Sequence, residues 1–574
     1  MTPRRLIRRA PTGQPALATL DPLLARLYAA RGVQSTDEVD YRLQRLEDVW
    51  QLKAMPAAVE RLQQALENGE RITIVGDYDA DGATSTALAL RALRAMGASR
   101  LDYLIPNRFD FGYGLSPEIV DVAARAAPDL IVTVDNGISS IDGVRRAGEH
   151  GIDVIVTDHH LPGETLPPAV AIVNPNQPGD PFPGKALAGV GVMFHLLIAL
   201  RQRLRQRGWF DARSLPEPNL ADWLDLVALG TVADVVPLDR INRILVEQGL
   251  RRIRAGKCCP GITALLQSAG KMPATTRASD LGFIVGPRLN AAGRLEDMAM
   301  GIECLLTDDP AQARRHADEL DRLNRARRQI EAEMQQQAVA ICDALRLRPA
   351  SLPWGVVLHH DDWHQGVVGL VASRIKERYH RPVIAFAGSD ETTLKGSGRS
   401  IPGLHLRDAL ERVASRRPGL ITRFGGHAMA AGLTLPRAGF DAFRDTFDAV
   451  VREMLPPEAL EPVVVSDGEL DAATLDLDTA IRLQNSGPWG QAFPEPVFDG
   501  RFQIEERRIL KERHLKYRLL PAGGRQSVEA IAFNVEPAEW PESGELPIAY
   551  RLDVNHYQGT MSLQLLIVAR LEVT

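Results

Sequence analysis

The chain has 574 residues, 67 basic against 73 acidic, and 45% apolar side chains, enough at ~100–200 residues per domain for three or four folded domains. Average apolar content excludes wholesale disorder, and four cysteines, two of them the adjacent Cys258 and Cys259, exclude a disulfide scaffold or a zinc clip. A formal net charge of −6 makes no global electrostatic case for nucleic acid.

The cysteine usage predicts a reducing, cytoplasmic home. The start (Arg4, Arg5, Arg8, Arg9) runs into Pro, Thr and Gly rather than an apolar signal core. After a helical lead-in, residues 71–174 repeat a β-branched strand, a polar loop and a helix, with strands predicted at 72–75, 103–105, 130–134, 154–157 and 171–173. Continuous apolar strands separated by helices predict a parallel sheet covered on both faces, whose ligands gather at the carboxyl ends of the strands. The longest apolar run, 186–200, contains His195, falls short of the ~20 residues of a membrane span, and predicts a buried helix. Residues 310–346 hold no Gly and no Pro beyond Pro310 and predict one helix of roughly 55 Å, a strut between domains. Its charged middle (Arg322, Arg325, Arg327, Arg328) reads as a solvated face. A second α/β unit follows over 354–454, with strands at 356–358 and 382–386 and a glycine-rich segment at 425–432. Beyond Glu461 the alternation of Ile548, Tyr550, Leu552 and Val554, then Leu563, Leu565 and Ile567, predicts a small barrel. The expected division is a lead-in at 1–50, a first α/β domain at 51–305, a connecting helix at 306–348, a second α/β domain at 349–456 and the barrel at 460–574.

Three sheet strands run into candidate metal ligands: GDYDADG (76–82), DNG (135–137) and DHH (158–160). Carboxylates suit hard divalent cations, and an added imidazole shifts preference toward Mn²⁺. Singly, each Asp is an ordinary helix cap and the His pair polar surface. Five carboxylates and two imidazoles on one rim repel one another until cations bind. A fourth segment, 225–234, offers Asp234 to the same rim, with Asp225 as the competitor. That is enough for two cations ~3.5–4 Å apart, an arrangement for phosphoester hydrolysis.

GDYDADG, TVDNGIS, TDHH and GTVADVVPL, in this order, resemble the four motifs of the DHH phosphoesterase superfamily, and KGSGRS (395–400) with GGHAMAAG (425–432) resembles its DHHA1 domain. PNRFDFGYGLS (106–116), LAGVGVMF (187–194), GPRLNAAGR (286–294) and WHQGVVGLVASR (363–374) are similar to the RecJ family of bacterial single-strand-specific 5′ exonucleases. The resemblance implies an α/β DHH domain, a smaller DHHA1 domain joined by a long helix, and an OB-fold. It puts two divalent ions, Mn²⁺ or Mg²⁺, on Asp79, Asp81, Asp135, His159 and Asp234, with Asp77, Asp158 and His160 as catalytic or phosphate-contacting groups. Many superfamily members carry a histidine where this chain has Val75. The resemblance also implies a 5′-phosphate clamp of Arg108, Ser397 and Arg399, with Gly396 and Gly398 letting backbone amides approach the anion. Arg288, Arg294 and His427 complete the cleft. Phe109, Phe111 and Tyr113 are either base-stacking platforms or core.

In the barrel, Arg507, Arg508, Lys511, Arg513 and Lys516 lie in a stretch, 501–525, with eight basic and three acidic residues, either a phosphate track or a solvated hairpin. Residues 461–574 carry 11 basic and 18 acidic side chains, so the acidic average belongs to the barrel and is compatible with a positive cleft. The expected activity is 5′ to 3′ hydrolysis of single-stranded DNA to 5′-mononucleotides by a monomer assisted by a RecQ-type helicase and a single-strand-binding protein. Rivals are a phosphodiesterase of short oligonucleotides and a non-catalytic replication scaffold.

Overall fold

A computed structural model describes residues 4–11, 16–106, 114–344, 352–557 and 560–572. Strands β1 (Ile72–Val75), β2 (Leu101–Leu104), β3 (Leu130–Val134), β4 (Asp153–Thr157) and β5 (Ala171–Val173) form an all-parallel sheet in the order β2-β1-β3-β4-β5. Every residue of β1 and β3 is buried. One face of the sheet joins α1 (Ala80–Ala95), α2 (Gly189–Gln206) and α3 (Leu224–Ala233) in the largest core, and the other packs Val75, Ile131, Val154 and Val156 on Ile119 and Val144. The strand order reverses between β1 and β3, the switch point at which open α/β sheets form a crevice.

Helix α4 (Gly286–Leu295) precedes α5 (Pro310–Ala344), which spans roughly 52 Å. Its first half puts Ala313, Ala317, Leu320 and Leu323 into the core of the first unit, and its second half puts Met334, Ala338 and Cys342 into the core of the next. The charged middle is the solvated face that composition predicts at Arg322, Arg325 and Arg328, which are exposed, but not at Arg327. Asp321, Asn324, Arg327 and Glu331 are buried: Arg327 pairs with Glu331 at 2.8 Å and donates to Asn324, Arg288 of α4 pairs with Asp321 at 2.8 Å, and Arg374 reaches Glu331 at 2.8 Å. Arg322 and Arg325 pair with Glu319 and Asp321 while staying exposed.

The second unit is a five-stranded sheet of β6 (Val356–His360), β7 (Val383–Gly388), β8 (Thr393–Arg399), β9 (Arg423–Gly426) and β10 (Ala430–Pro436), in the order β9-β10-β8-β7-β6, with α6 (Val368–Tyr379) between β6 and β7. The closing barrel holds β11 (Phe498–Leu510), β12 (His514–Pro521), β13 (Val528–Ala532), β14 (Gly544–Tyr557) and β15 (Thr560–Arg570), closed in the order β11-β12-β13-β15-β14. Phe498, Phe502, Tyr517 and Tyr550 fill it.

The lead-in carries the helix expected of it, at Pro22–Ala29, but not from its start. It opens with a strand, Arg5–Arg8, paired in parallel with Val463–Ser466. Arg31 then meets Asp467 at 2.9 Å, both side chains 1% exposed, and Arg9 meets the same carboxylate at 2.8 Å. Asp467→Ala is expected to strand the Arg31 guanidinium without its anion and to cost about 3–5 kcal/mol, read as a lower thermal midpoint.

Candidate active site

The first motif follows β1. Asp79 caps α1, its Oδ1 accepting from the amides of Asp81 (2.9 Å) and Gly82 (3.0 Å), so the ordinary reading of a strand-end Asp holds for one oxygen and leaves the second. Asp81, 1% exposed, accepts from the first amides of α2, Gly189 (2.6 Å) and Val190 (3.0 Å). Glycine is needed at both neighbouring turns of helix: a Cβ on Gly189 would lie 2.5 Å from Asp135 Cβ, and one on Gly230 of α3 would lie 2.8 Å from Asp81 Oδ1. Asp135 follows β3 with φ 62°, a left-handed conformation that Asp tolerates better than most residues.

These elements converge. His159 Nε2 lies 3.0 Å from Asp135 Oδ1 and 3.5 Å from Asp234 Oδ2. Ligand atoms of Asp77, Asp79 and Asp135 lie within 4.8 Å of one another, as do those of Asp81, His159 and Asp234. Asp225 is elsewhere, accepting from the Cys259 amide at 2.7 Å. Asp158 does not face the cluster as a ligand: Oδ1 accepts from the amides of His159 and His160 and bonds His160 Nδ1 at 2.7 Å, and Oδ2 accepts from the Ile138 amide.

Burial, then the charges of neighbouring aspartates, drives the carboxyls of Asp135 and Asp234 well above the usual range and pushes Asp81 up to about 7. Burial lowers His159 to about 4, leaving a neutral imidazole fit for coordination. Burial opposes charge on His160 too, but the Asp158 bond and the Asp77 and Asp79 carboxylates outweigh it and raise it to about 9. Hard oxygen donors, a neutral imidazole and carboxylates forced toward protonation fit divalent cations, which replace the protons and relieve the repulsion.

Opposite this cluster, the His427 ring stacks at 6.2 Å on that of His160, so the second unit closes over the first. A cavity of about 290 Å³ is lined by Arg294, Gln365, Lys395, Ser397 and Arg399, among others. Strand alternation explains it: Lys395, Ser397 and Arg399 share one face of β8, and Arg399 donates to Ser397 Oγ at 3.1 Å. Among the described residues no carboxylate pairs with Lys395 or Arg399. Arg294 donates to Gly366 O at 2.9 Å across the two units.

The intervening glycines do not serve the amide approach expected of them. The backbone of β8 is paired on both sides; a Cβ on Gly396 would strike Phe386 at 2.5 Å and one on Gly398 would strike Leu406 at 2.8 Å. They let the core close beneath the cations. Gly369 does the same from above, since a Cβ there would sit 2.7 Å from Ser397 Oγ and 3.0 Å from Arg399.

Other expectations shift as well. Arg288 is held by Asp321 and by Ile284 O (2.7 Å), joining α4 to α5 instead of lining the cleft. Arg507 is only 9% exposed, paired with Glu542, while Arg508 pairs with Glu506 and Lys516 with Glu529. Of the five barrel cations, Lys511 and Arg513 are exposed at the hairpin tip without an acidic partner among the described residues. Arg108, Phe109, Phe111 and Tyr113 lie outside the described residues. Sequence reasoning missed Asn290, whose Oδ1 accepts from the Ala80 amide at 2.7 Å and ties α4 to the first motif, and Asn136, which donates to Val75 O and Val134 O across the switch point. It also missed Lys395 and Gln365, though all four sit inside or beside quoted motifs.

A family model described as the DHH family N-terminal domain matches residues 71–231, a DHHA1 domain matches 352–453 and a RecJ OB domain matches 466–569. The chain is 58% identical over 564 residues to the single-stranded-DNA-specific exonuclease RecJ of Dickeya dadantii, covering 98% of each chain. The crystal structure of RecJ in complex with Mn²⁺ from Thermus thermophilus superposes with a TM-score of 0.81 at 34% identity, over 100% of this chain and 80% of that one. The Mg²⁺ complex of the same organism's protein gives 0.76 at 32%, over 100% and 79%. Identity at more than half of all positions along the full length, with a carboxylate and imidazole cluster built at the sheet's switch point, leaves one assignment: this chain belongs to the RecJ family.

Proposed function

We propose that the protein is a single-strand-specific 5′ to 3′ exodeoxyribonuclease releasing 5′-mononucleotides in DNA repair and recombination. The observation that carries this reading is the pairing of a cavity lined by Arg294, Lys395, Ser397 and Arg399 with a metal-ligand cluster, joined through the His427–His160 stack. A site with a terminal-phosphate anchor beside a cutting centre acts at ends.

Asp77, Asp79, Asp81, Asp135, His159 and Asp234 would hold the divalent ions, Mn²⁺ or Mg²⁺. Bound there, such ions supply an activated water at neutral pH and charge to offset the phosphodiester and the departing oxygen. The protein's own groups set the register. The guanidinium of Arg399, helped by Ser397 Oγ, Lys395 and Arg294, holds the 5′-terminal phosphate. His160, kept protonated and oriented by Asp158, donates to a non-bridging oxygen of the next phosphate. His427 covers the cluster from the second unit and narrows the cleft to one strand. Exposed Lys511 and Arg513 offer the trailing strand its phosphate contacts on the barrel. A RecQ-type helicase and a single-strand-binding protein supply unpaired substrate, and the acidic remainder of the barrel is the surface for such partners.

End-labelled single- and double-stranded DNA, digested with Mn²⁺ or Mg²⁺, tests polarity, strandedness and metal need together. The expected result is faster cleavage of 5′-phosphorylated than of 5′-hydroxyl single strands. Arg399→Ala should remove most of that preference, about 10–100-fold in kcat/KM, as for loss of a hydrogen bond to a charged group. An unchanged ratio contradicts the anchor.

A further inference from the structure

Between Leu323 and Met334 the helix α5 has left the core of the first unit and not yet entered that of the second, and over that stretch it buries no apolar side chain. It buries Asn324, Arg327 and Glu331 instead, in line with Asp321 one turn earlier. Spacings of three, three and four residues put these four on one face of the helix over about 15 Å. Charges are a poor choice for merely filling such a gap, because apolar side chains of similar volume are as stabilising or more so. What a linked set of buried polar groups adds is rigidity.

The partners of this face tie it to both sides of the cleft. Asp321 holds Arg288 of α4 at 2.8 Å and Glu331 holds Arg374 of α6 at 2.8 Å, with Arg327 bonded to Glu331 at 2.8 Å and to Asn324 at 3.0 Å between them. Helix α4 rests on the cutting centre: Asn290 accepts from the Ala80 amide, and Gly293 lies so close that a Cβ there would strike Tyr78 O. Helix α6 rests on the anchor, with Gly369 against Ser397 and Arg399. A continuous path of packed helices and ion pairs therefore runs from the first metal motif through α4, α5 and α6 to the terminal-phosphate cavity. Contacts across the cleft itself are lighter, among them the Arg294 hydrogen bond to Gly366 O at 2.9 Å and the His427–His160 stack.

We propose that this buried network, Asp321, Asn324, Arg327 and Glu331 with Arg288 and Arg374, fixes the separation of anchor and cutting centre and so holds the released product at one nucleotide. Stacked nucleotides repeat every ~3.4 Å along a strand, so a few ångströms of play between the units is enough to admit a second one. The six are positioning residues, since none lines the metal-ligand cluster or the phosphate cavity. The inference rests on the exonuclease reading above and adds what keeps its register.

The test uses the full chain with Mn²⁺ and a single strand carrying a labelled 5′-phosphate, with mono- and dinucleotides separated at early times. The triple variant Arg327→Met/Glu331→Leu/Arg374→Met removes three charges together and leaves none of them buried alone. Arg374→Gln cuts only the link to α6, at a side chain 51% exposed, so it decides the question even where the triple variant is unstable. The unaltered protein should release mononucleotides. The triple variant should raise the dinucleotide share of the first products about tenfold or more, the weight of one hydrogen bond to a charged group, and Arg374→Gln should raise it less. Both should lose preference for 5′-phosphorylated strands while keeping the rate on 5′-hydroxyl strands, which do not use the anchor. A merely structural role gives the opposite pattern, slower cleavage of both strands with mononucleotides still the product. If the variants release mononucleotides alone with the phosphate preference intact, the network assignment falls while the exonuclease reading stands. If the unaltered protein releases no mononucleotides from the 5′ end, both fall.

Discussion

Asp135→Asn is expected to reduce cleavage on the order of 10³-fold or more while leaving a folded protein that, without metal, melts at a higher temperature than the unaltered chain. The site explains both halves. Asp135 is 2% exposed, 3.0 Å from His159 Nε2, and shares a ligand group with Asp77 and Asp79. Removing its charge removes a metal ligand. Asn keeps the shape and accepts the φ of 62°, so the turn after β3 survives. The carboxyl it replaces is held above its usual range by burial and by Asp81, Asp79 and Asp234, so ionisation there opposes folding. Turnover on single-stranded DNA and melting curves with and without Mn²⁺ check the two effects; normal turnover would sink the assignment.

The carboxyl cluster and His160 should cost the metal-free protein stability as pH rises from about 4 to about 9, offset in part up to about pH 6.5 by His159, which burial lowers to about 4, and Mn²⁺ should restore stability progressively more at higher pH. Asp81 titrates near 7 when folded against about 3.9 unfolded. Below 3.9 both states hold the proton and nothing is lost. Above it the unfolded chain releases the proton first, so stability falls until about pH 7, on the order of 4 kcal/mol from this group alone. Asp135 and Asp234 act in the same direction. His160, raised to about 9, contributes stability that is full below about 6.5 and lost by 9. Cations compete with protons for the carboxylates, so the rise in Tm on adding Mn²⁺ should be small at pH 5 and large at pH 8. A rise independent of pH would contradict the linkage.

Much of this site is legible in the sequence because its chemistry is local. Each strand-end motif places carboxylate or imidazole within a few residues of a buried strand, and the parallel order of the sheet then does the gathering. The barrel is legible for the same kind of reason, since period-two burial along β12 and β14 is written directly in residue type. What stays hidden depends on partners distant in the chain. Arg327 reads as solvated because the Glu331 it pairs with is held from the other side by Arg374, 43 residues further along the chain. Arg507 reads as a phosphate contact until Glu542 is folded against it. Gly396 and Gly398 read as anion-binding backbone, whereas their neighbours Phe386 and Leu406 claim that space.

The pairing of Arg5–Arg8 with Val463–Ser466 has a consequence for synthesis. At ~5–20 residues per second the first strand leaves the ribosome roughly half a minute to a minute and a half before its partner exists, with its edge open to other chains. Until then the protein can own its cutting centre but not its barrel, and a chain stopped short of residue 463 exposes that edge permanently. Two of the four residues in this strand are arginine, and like charges along an open edge discourage the strand-to-strand association that such a wait invites.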